Sequence, residues 1–334
     1  MKIFVTGHNG YIGAHLIGLL KAKGYEVSGC DINLYEGCAW EDYKKPDHEL
    51  IKDVREISEE DLKGHDAVMH LAALSNDPMG DINEELTYQI NLEGSVRLAE
   101  LAKKAGVSRF LFASSCSIYG KGAKLDMDEN DPVNPLTAYA TSKIESEKRI
   151  GALADEHFSP VFLRNATAYG YSPMLRIDLV VNNLLACAVS KGNIAIKSDG
   201  SPWRPLIHCK DIAHAFVALA EAPQDKMHNK IINIGANSEN YQVRDVADQV
   251  QKLLPEAEIV YTGEVGEDPR NYKVNFDLLY SLLPDFKLEY DLKKGMQELY
   301  DKLLEHKFSA DDFDGDQFVR LRTLAKRLNL IQSS

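Results

Sequence analysis

Across 334 residues, 38 lysines and arginines stand against 51 aspartates and glutamates, a formal net charge of −13, and no long basic run interrupts that excess. Nucleic acid and anionic membrane are therefore excluded as expected partners, any phosphate ligand must be met by a few placed cations, and this length predicts two domains. The scattered Cys30, Cys38, Cys116, Cys187 and Cys209 lack paired spacing and read as reduced thiols of a cytoplasmic protein; Met1-Lys2 leads straight into an apolar strand, leaving no room for a signal peptide, no apolar run reaches membrane-spanning length, and no residue set is assigned to a metal.

The first element is the strand in "KIFVTG", followed by Gly7, Gly10 and Gly13 at every third position and then by a helix. Glycines there let the backbone bend sharply and let a ligand approach closer than a Cβ allows. The helix start aims free N–H groups and a positive dipole end at an anion, and a phosphate is the natural guest. Tight strand-to-helix turns also use glycine for packing alone, so the neighbouring elements must decide.

"YEVSGCD" is the second strand, and Asp31 ends it 18 residues beyond Gly13. A carboxylate there accepts hydrogen bonds from both hydroxyls of an adenosine ribose and repels a 2′-phosphate, which predicts NAD rather than NADP; the alternative is a surface turn residue. Asp53 in "DVR" ends the next extended segment and offers a carboxylate to the adenine amino group, or forms a solvated loop pair with Arg55. The strands "HDAVMHLAA", "SRFLFASS" and "SPVFLRNA" follow, separated by helices such as "LEGSVRLAELAKKAG". This alternation predicts an α/β fold with a doubly wound parallel sheet, Rossmann-like, with ligands at the carboxyl ends of its strands.

Beyond Gly170 the rhythm loosens into the helix "DLVVNNLLACAVSKG", the loop and strand "GSPWRPLIHCKD" and the helix "VRDVADQVQKLLP". The expected division is a dinucleotide-binding domain over 1–170 and a smaller α/β substrate domain over 171–334, with 205–236 returning to the first. A calcium loop with Gly315 in sixth place would put Ala310 first and Leu321 last. Neither supplies a carboxylate, so the tail reads as a solvated turn and a helix with Phe318, Leu321, Leu324 and Leu328 inward.

Gly7, Gly10 and Gly13, "HLAA" at His70–Ala73, Asn91 in "INLEG", "SSCSIYG" from Ser114 and Tyr139-x-x-x-Lys143 stand in one order and spacing. Together they resemble the extended short-chain dehydrogenase/reductases, most closely the NAD-dependent nucleotide-sugar epimerases and dehydratases, over nearly the whole chain. The resemblance implies NAD held by Gly7, Asn9, Gly10, Tyr11, Ile12, Gly13, Asp31, Asp53, Val54, Leu71, Ala72, Ala73, Asn91, Tyr139 and Lys143. It also implies a catalytic set of Ser115, Tyr139 and Lys143. Four residues apart on a helix, Tyr139 and Lys143 share a face, and a neighbouring ammonium favours the phenolate of a tyrosine whose free pKa is about 10. In the resembled enzymes that tyrosine takes the proton of a sugar hydroxyl while the carbon beneath gives hydride to NAD, and a hydroxyl at the Ser115 position bonds the same oxygen.

Dehydratases of this kind carry an acid and a glutamate directly after the Ser115 equivalent, where Cys116 and Ser117 stand here. Serine is no carboxylate base; Cys116 is either an activated thiol or a small buried residue. The substrate implied is a nucleotide-diphosphate sugar, gripped by Arg204 and Arg270, although either arginine could instead be a surface ion-pair member. Thr167 stands where the family has asparagine, Tyr171 where it has proline, and Tyr272 where it has a carboxylate. Ser117, Thr167, Arg176, Asn182 and Asn183 are the remaining expected substrate contacts. The helices in "NEELTYQINLEGSVRLAELAKKAG" and "TAYATSKIESEKRIGALADEH" correspond to the pair through which resembled enzymes form a four-helix homodimer. The expected reaction is epimerisation through oxidation at carbon 4; the alternatives are a dehydrogenase or reductase that releases its product, a dehydratase, or a catalytically silent NAD sensor.

Overall fold

Strand β1 (Lys2–Thr6) reads as one apolar run because both of its faces are covered: Ile3, Phe4 and Val5 are all fully buried, as in parallel sheets packed between helices. A computed structural model describes residues 1–75, 83–263 and 270–327. The chain adds β2 (Glu26–Asp31), β3 (His48–Ile51), β4 (Ala67–His70), β5 (Arg109–Ser115), β6 (Ser159–Asn165) and β7 (Lys230–Ile234). They form one seven-stranded sheet in the order β7-β6-β5-β4-β1-β2-β3, every pair parallel. Strand order reverses between β1 and β4, so a crevice opens at their carboxyl ends, the place where such sheets bind ligands.

Helices cover both faces. Ile3 and Val5 pack with Leu16, Ile17 and Leu20 of α1 (Gly13–Ala22) and, much later in the chain, with Ile212 and Phe216 of a helix over Cys209–Glu221. Phe4 points the other way, into a cluster with Phe110, Phe112 and residues Val96, Leu98, Ala99 and Ala102 of α2 (Ser95–Lys104). A π-helical stretch, Tyr88–Gly94, runs directly into α2. Helix α3 (Ala138–Gly151) packs beside it, started by Thr137, whose hydroxyl accepts from Ala140 N–H at 3.1 Å. Such a cap contributes about 1 kcal/mol.

A second apolar cluster joins α4 (Val180–Lys191) to the helix Val243–Leu253, to α5 (Leu292–Glu305), and to Phe308 and Phe318. Here Trp203–His208 does not enter the main sheet; it pairs with Thr167–Tyr169 on one side and Asn240–Gln242 on the other. The last described helix is α6 (Arg320–Arg327). Phe318 and Leu324 are buried while Leu321 is only partly so, and Leu328 lies outside the described residues. Among the described residues no helix is long and apolar enough to cross a membrane.

Candidate active site

The three glycines each meet backbone. A Cβ on Gly13 would lie 2.2 Å from the Gly7 carbonyl oxygen, and one on Gly7, whose φ is +74°, would lie 2.7 Å from Ala72 N. Only glycine lets the turn after β1 fold onto the exit of β4 while α1 starts facing the crevice. A cavity of about 360 Å³ opens there, the scale of a small-molecule site. Gly7, Gly10, Tyr11, Ile12 and Gly13 line it, as do Asp31, Asp53, Val54, Leu71, Ala72 and Ala73. The Asp31 carboxylate accepts from Asn9 N–H (3.1 Å) and Asn33 N–H (2.8 Å), which fixes it at the end of β2. A cradle that a Cβ would fill, a helix N-terminus and a carboxylate fixed at the end of β2 fit NAD.

Two expected cofactor residues act from behind the wall. The Asn9 carboxamide donates to Asn33 (2.7 Å) and Glu49 (3.0 Å) and accepts from Tyr43 and Lys45 (both 2.8 Å), so it braces the turn rather than lining the cavity. Asn91, fully buried, accepts from Leu74 N–H (2.8 Å) and donates to Leu74 carbonyl (3.1 Å), clamping the chain that leaves β4. Asp53 caps a short turn and receives the Arg55 guanidinium at 2.8 and 3.0 Å.

Ser115, Ser117, Tyr139 and Lys143 share the opposite wall. Lys143 Nζ lies 5.7 Å from the Tyr139 ring centroid and donates to the Ala113 carbonyl at 2.7 Å. Burial pushes its ammonium down to about 7, against the pull of Glu147. Ser115 Oγ accepts from Ser117 N–H at 3.1 Å, which leaves its own proton free to be donated. Cys116 is 1% exposed, its thiol donates to the Arg164 carbonyl at 3.1 Å, and burial raises its pKa far above the ordinary thiol value. Of the two readings of Cys116, the small buried residue is therefore the one the fold adopts. Ser117 Oγ, buried and without a hydrogen-bond partner, stands in the cavity wall. Among the described residues the carboxylates lining the cavity are Asp31, at the end of β2, and Asp53, just past β3.

Beneath this wall runs a buried polar chain. Glu147 takes Arg164 at 2.7 Å and Ser114 Oγ at 2.5 Å, Arg164 reaches Tyr119 Oη (3.1 Å), Tyr119 donates to Asn233 Oδ1 (2.8 Å), and Asn233 donates to the Asn275 carbonyl (3.1 Å). Glu147 and Arg164 are almost wholly shielded from solvent, so neither charge is affordable without the other.

On the substrate side Thr167, Arg176, Arg270 and Tyr272 line the cavity. Arg176 is held by Asp178 at 2.7 and 3.0 Å and by Ser75 Oγ at 3.1 Å. Three expected contacts are placed differently. Arg204 is outside the lining, and its guanidinium donates to the carbonyls of Trp203 (2.8 Å) and Arg270 (2.6 Å), bracing the segment that presents Arg270. The Asn182 carboxamide donates to Arg176 carbonyl (2.8 Å) and Gly170 carbonyl (3.2 Å) and accepts from Gly170 N–H (2.8 Å). Asn183 donates to Ile177 carbonyl at 2.9 Å. Both asparagines hold the 170–177 loop in shape. Tyr171, the residue in place of proline, is buried and stacks on Trp40, whose ring also meets Phe318 at 4.9 Å.

Sequence reasoning missed Asn165, whose Oδ1 is buried and unpartnered at the carboxyl end of β6, as well as Tyr35 and Arg320. The end of a parallel strand was an available signal for Asn165. For Arg320 there was none, since a basic residue on a terminal amphipathic helix normally faces water.

Residues 3–235 match the family model described as the NAD dependent epimerase/dehydratase family. Among curated proteins, the "Putative UDP-glucose 4-epimerase" of Methanocaldococcus jannaschii is 28% identical over 311 residues, covering 89% of this chain and 96% of that protein. Among solved structures, the NAD dependent NDP-hexosamine 5,6-dehydratase TunA superposes with a TM-score of 0.82 at 25% identity, covering 91% of this chain and 98% of that one. MoeE5 in complex with UDP-glucuronic acid and NAD gives 0.77 at 27% identity, covering 91% and 99%. The first two carry different named reactions, a 4-epimerase and a 5,6-dehydratase.

Proposed function

Because the chain belongs to the NAD dependent epimerase/dehydratase family, we propose that within it the protein is a nucleotide-sugar 4-epimerase. The observation that carries this reading is the composition of one cavity wall: Ser115, Tyr139 and Lys143 stand together, while the dehydratase acid and glutamate positions hold a core thiol and a hydroxyl. NAD bound in the cavity supplies a hydride acceptor that can also give the hydride back. Tyr139 takes the proton of the sugar 4-hydroxyl and later returns one to the same oxygen. Lys143, neighbouring the ring, favours the phenolate, and Ser115 donates to the reacting oxygen as charge builds on it. Elimination of water would require a carboxylate base near carbon 5; the two carboxylates described in the wall, Asp31 and Asp53, serve the cofactor. Arg270 is suited to a diphosphate, with Arg204 acting through it, and the relatives' UDP-sugars make UDP the first nucleotide to test.

The test is incubation with UDP-glucose, UDP-N-acetylglucosamine and UDP-glucuronic acid, read by nuclear magnetic resonance of the sugar and by reduced-nicotinamide absorbance. The expected result is an equilibrium mixture of carbon 4 epimers without net reduction of NAD. A keto sugar released with stoichiometric reduced cofactor would make the protein a dehydrogenase instead. A homodimer through α2 and α3 belongs to the same reading. Their outward positions carry Arg97, Glu100, Lys148 and Arg149, with Arg149 paired at 2.6 Å to Glu93 of the π-helical stretch before α2, so the contact would be polar at its rim, and sedimentation of a monomer at micromolar concentration would refute it.

A further inference from the structure

The last helix places a cation in the cofactor cavity. Arg320, the first residue of α6, is 3% exposed and lines the same cavity as the glycine turn. Its Nη2 donates to the Met174 carbonyl at 2.9 Å, and its guanidinium carbon lies 4.2 Å from the centroid of the Tyr35 ring. Nη1 is buried with no hydrogen-bond partner, and among the described residues no carboxylate pairs with this side chain. The neighbouring Arg176 is already matched by Asp178, so Arg320 stands in the wall as a buried cation without an ion-pair partner among the described residues. A buried charge without a partner is costly enough that an anion is its natural complement.

Its surroundings say which anion. Met174 packs in one small cluster with Ala14, on the first turn of α1, and with Tyr35, four residues past Asp31. Arg320 is therefore fixed between the ribose carboxylate and the helix N-terminus, which is where a dinucleotide places its diphosphate. Both sides of this position are anchored. Two residues earlier Phe318 is buried and its carbonyl accepts from Ile177 N–H at 3.0 Å; seven residues later Arg327 donates to the carbonyls of Leu34 (2.6 Å) and Glu36 (2.5 Å). We propose that Arg320 binds the diphosphate of the dinucleotide, and that α6 is a strap laid across the adenosine side of the cofactor site. The proposal rests on the cavity being the NAD site, and binding of NAD by the unaltered protein tests that premise separately.

The experiment is calorimetric titration of NAD-stripped protein, wild type, Arg320→Gln and Arg320→Lys, with NAD, ADP and adenosine, and then of the NAD-saturated proteins with UDP. Loss of one charge-assisted contact predicts that Arg320→Gln binds NAD and ADP about ten- to a hundredfold more weakly. Adenosine and UDP should bind as they do to the wild type, and Arg320→Lys should lie between. Gln keeps an amide donor for Met174, and thermal unfolding of the stripped variants checks that they are folded; if the Gln variant is not, the Lys variant carries the same comparison. Unchanged NAD affinity would overturn the proposal. So would an equal loss for adenosine, which would mean that Arg320 only shapes the Tyr35 loop, or a loss confined to UDP, which would move the contact to the substrate's diphosphate.

Discussion

Lys143 combines a proposed chemical role with a burdensome position, and replacing it separates the two. Its ammonium is 2% exposed and bonded to one carbonyl, Ala113 at 2.7 Å, and burial lowers its pKa from 10.5 to about 7. At 1.36 kcal/mol per pH unit, the folded chain carries at most about 5 kcal/mol of cost for keeping this group charged. The sign follows from proton binding: between pH 7 and 10.5 the unfolded chain holds this proton and the folded chain releases it. Folding therefore becomes more favourable as pH rises through that window, and the cost is fully present below pH 7. Lys143→Met removes the charge but leaves the Ala113 carbonyl without its partner, a loss of about 1–3 kcal/mol. The NAD-free variant should thus be about 2–4 kcal/mol more stable than the wild type well below pH 7, with the gain shrinking steadily toward pH 10. Urea unfolding followed by circular dichroism at a series of pH values measures this directly. A variant less stable than wild type at low pH, or a gain that does not depend on pH, would refute the burial argument. Its turnover should meanwhile fall, with the ascending, acid-side limb of the rate profile moved to higher pH, because the phenolate that acts as base loses its nearest positive charge.

Tyr139→Phe deletes one oxygen and should leave NAD and sugar-nucleotide binding nearly unchanged while turnover drops by about 10²–10⁴-fold; a near wild-type rate would displace the catalytic assignment. Gly13→Ala forces a methyl to within 2.2 Å of the Gly7 carbonyl, a backbone atom with no rotamer to yield. We expect about 1–3 kcal/mol of destabilisation and loss of NAD retention through purification, read by thermal unfolding and by the absorbance of released cofactor. Asp31→Asn removes the repulsion toward a 2′-phosphate and should narrow the preference for NAD over NADP in parallel titrations. An unchanged ratio would take Asp31 out of that role.

What the sequence revealed follows from which features are local. The strand runs, the glycine turn and the Tyr139–Lys143 spacing are set by near neighbours in the chain, and each lies where periodicity put it. Carboxamides and guanidinia were harder, because their placement depends on whether a distant carbonyl lies within reach. Asn182 and Asn183 satisfy loop carbonyls, Asn91 does the same for the Leu74 carbonyl, Asn9 joins the side chains of Asn33 and Glu49, and Arg204 is turned to the Arg270 carbonyl. Arg320 shows the converse. Nothing near it in sequence marks it as a ligand residue, and only the packing of Phe318 and the Arg327 contacts bring it to the cavity.

The buried chain from Glu147 through Arg164, Tyr119 and Asn233 to Asn275 has a consequence for how the molecule is made. Helix α3 is complete at residue 151, yet the ion pair on its inner face rests on a tyrosine whose acceptor lies on β7, which pairs with β6 from Lys230↔Val161 to Ile234↔Asn165. A polypeptide leaving the ribosome presents its amino end first. Until Asn233 has emerged, β6 is an unpaired apolar edge, and until Asn275 follows, the polar chain is unfinished. Sheet closure across so long a sequence separation is a slow folding event. The nascent chain thus holds its Tyr139 and Lys143 for more than a hundred residues of synthesis before Asn275 completes the polar chain beneath them, while the edge of β6 is covered sooner, once β7 has emerged.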